Sequence, residues 1–347
     1  MHVEMPGDLR DRASSLNFDS TISRKLVHRD YIDHVLVTDL GQIADDHFLC
    51  AGRLPQMHGF FNEECKTPCC NLLAVSEIAR QACIALSHRY LEVPAGTAQI
   101  VRQATGSMED RSLTHARNPR EADFLVEIRL TNRQYRRSGE LTALTAEYYG
   151  YSDFFRVFHG SGDWMFVPRK MYRRLRQASA EPVGGEELAS ERQRLIEPRN
   201  VGRHLPDHVV IAPTVPLNGG DAYSTELIAD PKHPYFFEHE IDHVSGMLLL
   251  EGCNQFALAM ATELYGYPPR QTAFESYSAK FYRFAGLQAP VHLQASVKGR
   301  PEEAGDRCRA AFAVVASQEG EVLADIDVGV APIEQEESQP PVQVAAG

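Results

Sequence analysis

Two glutamates stand inside segments that otherwise have the composition of a protein core. Glu251 follows Leu248-Leu-Leu and precedes Cys253, Phe256, Ala257, Leu258 and Met260; Glu77 follows Leu73 and Ala74 and precedes Arg80 and Gln81. On a helix, residues three and four apart share a face. Glu251 then lies beside Met247 and Leu248 on one side and Gln255 on the other, and Glu77 lies beside Leu73, Ala74, Arg80 and Gln81. A carboxyl in apolar surroundings has its charged form disfavoured, which raises its pKa toward the range of a general acid or base. An amide four residues on can orient it by hydrogen bonding. The competing reading is a solvated stripe on an amphipathic helix. It suits Glu77, with Arg80 and His88 nearby, better than Glu251, whose helix is apolar nearly all round.

Both acids belong to a repeated unit. Glu77-Ile-Ala-Arg80-Gln81 returns as Glu251-Gly-Cys-Asn254-Gln255, 174 residues later (251 − 77). Asp33-His-Val against Asp207-His-Val and Pro94 against Pro268 keep the same register. The elements that must position the acids repeat as well. In the first unit, strand-like Asp33-His-Val-Leu-Val-Thr and His47-Phe-Leu-Cys-Ala-Gly lead through a Pro-rich loop to a helix over 71–88. Three β-like runs follow, from Phe124, Leu141 and Phe154. In the second unit, strands Val209-Val-Ile-Ala and Tyr223-Ser-Thr-Glu-Leu-Ile lead to a helix from Gly246 to about Leu264, then to strands 291–297, 310–316 and 322–330. Strands that follow one another without intervening helices disfavour a doubly wound parallel sheet. The expected class is α+β: in each unit a long helix wrapped by an antiparallel sheet, the two units forming an internal pseudo-dimer. Their sheets could join edge to edge, which would protect exposed edge strands. The expected organisation is a loose leader, a first domain over 24–168, a linker over 169–206, a second domain over 207–333 and a disordered tail over 334–347.

The chain of 347 residues carries 35 basic and 47 acidic residues, a net charge of −12. That balance disfavours non-specific binding to nucleic acid or a membrane surface. A signal-peptide pattern and a membrane-length apolar run are both missing from the sequence. Seven cysteines, odd in number and irregular in spacing, fit reduced thiols better than a disulfide framework. The expectation is a cytoplasmic protein with small-molecule or protein partners, without nucleic acid or membrane.

Other motifs compete less well. His239-Glu240-Ile-Asp242-His243 matches H-E-x-x-H, which on a helix would hold zinc with Glu240 as general base. The first unit has no counterpart, the preceding Pro234-Tyr-Phe-Phe reads as loop or strand, and no third ligand stands out. His239 and His243 are read instead as loop histidines, or as lining a pocket at the start of the second helix. Phosphate loops, dinucleotide fingerprints and nucleophile elbows are missing, so neither cofactor nor metal is expected. The run Arg169-Lys-Met-Tyr-Arg-Arg-Leu-Arg176 is a solvated helix face or a dock for an acidic carrier protein.

At these residues the chain resembles a known family. His239-x-x-Asp242-His243-x-x-Gly246-Met247-x-Leu249-x-Glu251-x-x-x-Gln255 is similar to the second repeat of the A-factor biosynthesis proteins, the γ-butyrolactone synthases. Arg53-x-Pro55-x-x-His58-x-Phe60, with Glu77-x-x-Arg80-Gln81 and His88, is similar to their first repeat. The likeness runs from about Val27 to Pro332. The segment from Gly246 to Gln255 also resembles that of 3-hydroxyacyl-carrier-protein dehydratases, and both families have the hot-dog fold. The resemblance implies two tandem hot-dog domains and an acyltransferase that takes a β-ketoacyl group from acyl carrier protein. The acceptor it implies is the hydroxyl of dihydroxyacetone phosphate. Glu251, with Glu77 second, would take the hydroxyl proton. Arg80, Gln81, His239, His243, Gly246, Asn254 and Gln255 would bind substrate, with the helix start at Gly246 facing the oxyanion. A dehydratase, a thioesterase or a non-catalytic acyl-binding protein are the alternatives. At one position the chain departs from the family: Asn254 stands where an arginine precedes the Gln, and an arginine there would be the natural partner of a phosphate.

Overall fold

A computed structural model describes residues 3–54, 58–63, 71–109, 123–177, 195–217, 220, 222–238, 241–300 and 309–333. The expected tail, His239, Glu240 and four of the cysteines (65, 69, 70 and 308) lie outside these residues.

Each unit contains one long helix that is buried on nearly every side. Helix α1 (Gly7–Ala13) is a short N-terminal piece packed on the outside. The central helix of the first unit is α2 (Leu72–Arg89), capped by the Asn71 side chain, which accepts from the Leu73 N–H. Between Leu72 and Ser87 only Arg80 is not buried. The strands of this unit are β1 (Val37–Ala44), β2 (His47–Arg53), β3 (Ala98–Met108), β4 (Asp123–Tyr135), β5 (Leu141–Ser152) and β6 (Phe155–Val167). Helix α3 (Arg169–Gln177) follows. The second unit has β7 (Val215–Pro216), β8 (Ala222–Leu227), β9 (His243–Val244) and the central helix α4 (Gly246–Tyr265). Ser245 caps α4 by accepting from the Leu248 N–H, and Gly266 closes it in the left-handed region at φ 70°. Strands β10 (Thr272–Phe281), β11 (Ala285–Gly286), β12 (Val291–Gly299), β13 (Ala310–Gln318) and β14 (Glu321–Pro332) complete the unit.

Twelve of these strands form one antiparallel sheet in the order β1-β2-β4-β5-β6-β3-β10-β14-β13-β12-β8-β7. The two units therefore join edge to edge through β3 and β10, from Ser107 against Ser276 to Gln103 against Lys280. The joint needs a residue without a side chain. A Cβ on Gly106 would meet the Tyr277 ring at 2.6 Å, and the Tyr277 hydroxyl donates to the Ser76 hydroxyl on α2 at 3.0 Å. One buried cluster runs through both units and encloses both helices. This is the expected double hot-dog.

Three expectations are corrected. Asp33-His34 is a 3-10 turn (Ile32–His34), and the strand begins only at Val37. Val209-Val-Ile-Ala makes only an isolated bridge among the described residues, Ile211 to Leu227, with Ala212 N–H donating to the Glu226 carbonyl, while the Val210 N–H is taken by the Gln255 side chain. The strands at the joint, β3 and β10, carry no clear apolar alternation and were not expected at all.

Candidate active site

Glu77 and Glu251 are both fully buried, and neither lies in apolar surroundings. Arg29 donates from Nη2 to Glu77 Oε1 at 2.6 Å; Arg80 donates from Nε to Oε2 at 2.7 Å and from Nη2 to Oε1 at 2.9 Å; Gln81 Nε2 donates to Oε1 at 2.7 Å. Burial alone would raise the Glu77 pKa, but the Arg29 and Arg80 charges and the hydrogen bonds from Arg80 and Gln81 override it. They hold the carboxyl down at about 2. The expected raised pKa is thus reversed at Glu77, because the helix brings its own cation at i+3 and a second arrives from Arg29.

The second site repeats this plan with one substitution. Arg203 donates to Glu251 Oε1 from Nη2 at 2.6 Å and from Nε at 3.2 Å, and Gln255 Nε2 donates to the same oxygen at 2.6 Å. Oε2 receives the Asn254 side-chain N–H at 3.2 Å. Because Asn254 Nδ2 faces a carboxylate, its Oδ1 faces away, buried and without a hydrogen-bond partner among the described residues. Both glutamines also tie the helices to the segments before the first strands. Gln81 donates to the His34 carbonyl at 2.8 Å and accepts from the Leu36 N–H at 2.9 Å. Gln255 does the same with His208 and Val210 at the same distances.

Each site is completed by the other unit. The loop of the second unit delivers Glu238 to the first site, where Oε1 accepts from Arg29 at 2.6 Å and Oε2 lies 2.7 Å from His34 Nδ1. The loop of the first unit delivers Glu63 to the second site, where Oε1 lies 2.5 Å from His208 Nδ1 and 3.5 Å from Arg203, and Oε2 accepts from the His204 N–H at 2.6 Å. Burial works against the Glu63 charge, but its bonds with His208 and His204 and the Arg203 charge lower its pKa on balance. The two loops cross where Phe60 stacks on Tyr235, with ring centroids 4.8 Å apart and planes at 7°. The arginines lie over these rings: Arg203 over Phe60 at 4.6 Å and Arg29 over Tyr235 at 5.0 Å. Neither site is complete in a single repeat.

The remaining predicted residues are scattered. Gly246 opens α4, one and a half turns before Glu251, roughly 7.5 Å along the axis. His243 sits in β9, not on a helix; its Nδ1 is 3.0 Å from Asp242 and its ring packs on Phe284. The helix that H-E-x-x-H chemistry requires is therefore not formed at its second histidine. His88 is in neither site; its Nε2 is 2.8 Å from that of His28. A small cleft beside the first turn of α4 is lined by Leu195, Val210, Ile228 and Leu248 together with Asp207, Asp230 and His233.

Sequence reasoning missed Arg29, Arg203, Glu63, Glu238 and Tyr235. Arg203 falls in the stretch expected to be linker. A signal for the arginines existed: Arg29-x-x-x-Asp33-His34 and Arg203-x-x-x-Asp207-His208 share the register of the two glutamates (203 − 29). No helix among the described residues is long and apolar enough to cross a membrane.

The chain matches the model of the A-factor biosynthesis hotdog domain over residues 11–149 and again over 186–334, once per unit. It is 28% identical over 280 residues to a 2-oxo-3-(phosphooxy)propyl 3-oxoalkanoate synthase of Streptomyces virginiae, covering 80% of this chain and 87% of that one. The synthase of the same name from Streptomyces coelicolor is 24% identical over 294 residues, covering 80% and 82%. A solved acyl-CoA thioesterase II TesB2 from Mycobacterium marinum has a TM-score of 0.44 at 11% identity, over 91% of this chain and 99% of that one. With a family match on each of two units built around the same Glu-x-x-x-Gln helix, the chain belongs to the A-factor biosynthesis hotdog family.

Proposed function

We propose that this chain is an acyltransferase. It would move a β-ketoacyl group from a thioester on acyl carrier protein to the hydroxyl of a three-carbon acceptor such as dihydroxyacetone phosphate. The name of its relatives describes such a product, a 3-oxoalkanoate ester of a phosphorylated three-carbon ketone. The observation that carries the reading is the state of Glu251 Oε2, whose only hydrogen bond among the described residues is the 3.2 Å contact from Asn254. An acceptor hydroxyl can replace that amide.

The hydroxyl then gives its proton to Oε2 while its oxygen attacks the thioester carbon. The N–H groups that open α4 have no intrahelical partners and favour the negative charge that develops on the thioester oxygen. Collapse breaks the C–S bond, the proton on Glu251 passes to the departing thiolate, and ester and thiol are released. Arg203 and Gln255, both on Oε1, leave the reacting oxygen the less engaged one. The exposed Arg169, Lys170 and Arg174 of α3 suit an acidic carrier.

The test is incubation with a β-ketoacyl thioester and dihydroxyacetone phosphate, read by mass spectrometry. The expected product is the ester. Loss of water or release of free acid instead would make the chain a dehydratase or a thioesterase, and the transfer reading would fall.

A further inference from the structure

His233 stands beside the second site, its ring 6.3 Å from that of His208, and the mechanism above does not use it. Its Nδ1 accepts two backbone N–H groups, from Tyr235 at 3.2 Å and Phe236 at 3.3 Å. A ring nitrogen that accepts carries no proton, so the neutral imidazole has its hydrogen on Nε2. That Nε2 is buried and has no hydrogen-bond partner among the described residues, on a side chain only 6% exposed. An unmet buried donor is costly, so a site that leaves one open favours a ligand that accepts from it. The residue lines the cleft beside the first turn of α4, and its ring meets Phe60 at 5.7 Å, the same ring that Arg203 covers. His58 repeats the arrangement in the first unit, accepting from Phe60 and Phe61 at 3.1 and 3.2 Å.

We propose that His233 is an oxyanion donor: its Nε2–H hydrogen-bonds the carbonyl oxygen of the acyl thioester and strengthens as that oxygen gains charge. The proposal rests on the acyl-thioester reading of this site. His233 gives up no proton in the reaction; the hydroxyl proton still goes to Glu251 and then to the thiolate. Burial, first, keeps the ring neutral, with a pKa lowered to about 4; His208 and Arg203 act in the same direction, while Asp230 and Asp207 oppose them. A neutral donor can meet an oxyanion across the whole neutral range, and it does not compete with Glu251 for the hydroxyl proton.

Two substitutions separate this role from a structural one. In His233→Asn the amide oxygen can still accept the two backbone N–H groups, but no donor reaches the Nε2 position. In His233→Gln the donor position is approximated and the turn is left uncapped. The expected result is that His233→Asn keeps its melting temperature and loses ~10²–10³ in kcat with KM little changed. His233→Gln should melt lower and keep more of its kcat. A 3-oxooctanoyl pantetheine thioester carrying 13C at its thioester carbonyl gives a second readout that needs no turnover. Its carbonyl stretch should move to lower frequency when bound, move again with His233→Gln, and not with His233→Asn. The same shift in His233→Asn as in the unaltered protein, or no shift in the unaltered protein, overturns the proposal. A shift without ester formation sinks the transfer reading and leaves the donor standing. Failure of the thioester to bind overturns both.

Discussion

The two carboxylate sites share one plan and differ in two places: the residue three on from the glutamate, Arg80 or Asn254, and the ring under the arginine, where the Tyr235 hydroxyl accepts from Arg29 and Phe60 has no hydroxyl. In both, a glutamate on the central helix meets an arginine from the segment before β1 or its counterpart, a glutamine four residues on, and a loop glutamate sent from the other unit. In the first site the residue at i+3 is Arg80, and Glu77 is engaged on both oxygens by two guanidinium groups. In the second it is Asn254, and Glu251 Oε2 receives one neutral amide at 3.2 Å. Buried charges persist only when paired and hydrogen-bonded. The first site meets that requirement fully, which makes it a rigid clamp and a poor base. The second meets it with one cation fewer, so Glu251 Oε2, although buried, is held among the described residues by a neutral amide alone.

The largest expected effect follows from Glu251→Gln. It preserves shape and removes the proton acceptor, and ester formation measured by mass spectrometry should fall by ~10²–10⁴. Next comes Glu77→Gln, whose effect should appear as stability. It leaves Arg29 and Arg80 without their shared carboxylate, and denaturant unfolding should show a loss of about 3–5 kcal/mol. The same variant tests the pH dependence. The folded pKa of Glu77 is about 2, below the ordinary carboxylate value, so its contribution is fully present above the unfolded pKa and is lost as pH falls toward 2. Between pH 5 and 2, given as approximate bounds, stability should drop more steeply in the unaltered protein than in Glu77→Gln. The smallest effect is expected from Asn254→Arg, which makes the second site like the first. It should raise kcat/KM for dihydroxyacetone phosphate relative to dihydroxyacetone by roughly tenfold through a charge-assisted contact, while lowering the absolute rate with either. An unchanged acceptor ratio would show that position 254 does not read the phosphate.

The sequence made the duplication legible because helices and their glutamates keep one register. Both central helices begin within one residue of their expected starts, at Leu72 and Gly246. The partners of the acids were harder to find. Arg29 and Arg203 keep the register but lie far along the chain from the helices they serve. The loop residues do not keep it: His58 and His233, like Glu63 and Glu238, are 175 apart (233 − 58), so one inserted residue hides the correspondence. A glutamate that crosses to the other unit leaves no local pattern at all. Strands β3 and β10 escaped for a related reason. Their residues, among them Gln103, Thr105, Ser107, Ser276 and Ser278, pair across the joint, and the polar positions between the buried Phe274, Tyr277 and Ala279 blur the alternation.

The proposed function makes the two sites unequal, with chemistry at Glu251 and a structural clamp at Glu77. The most direct test compares the initial rates of ester formation of Glu251→Gln and Glu77→Gln. Both would be assayed at neutral pH and at a temperature where circular dichroism shows each to be folded. The account predicts a loss of ~10²–10⁴ for Glu251→Gln and a loss below about tenfold for Glu77→Gln. Equal losses in the two variants, or a larger one in Glu77→Gln, would contradict it.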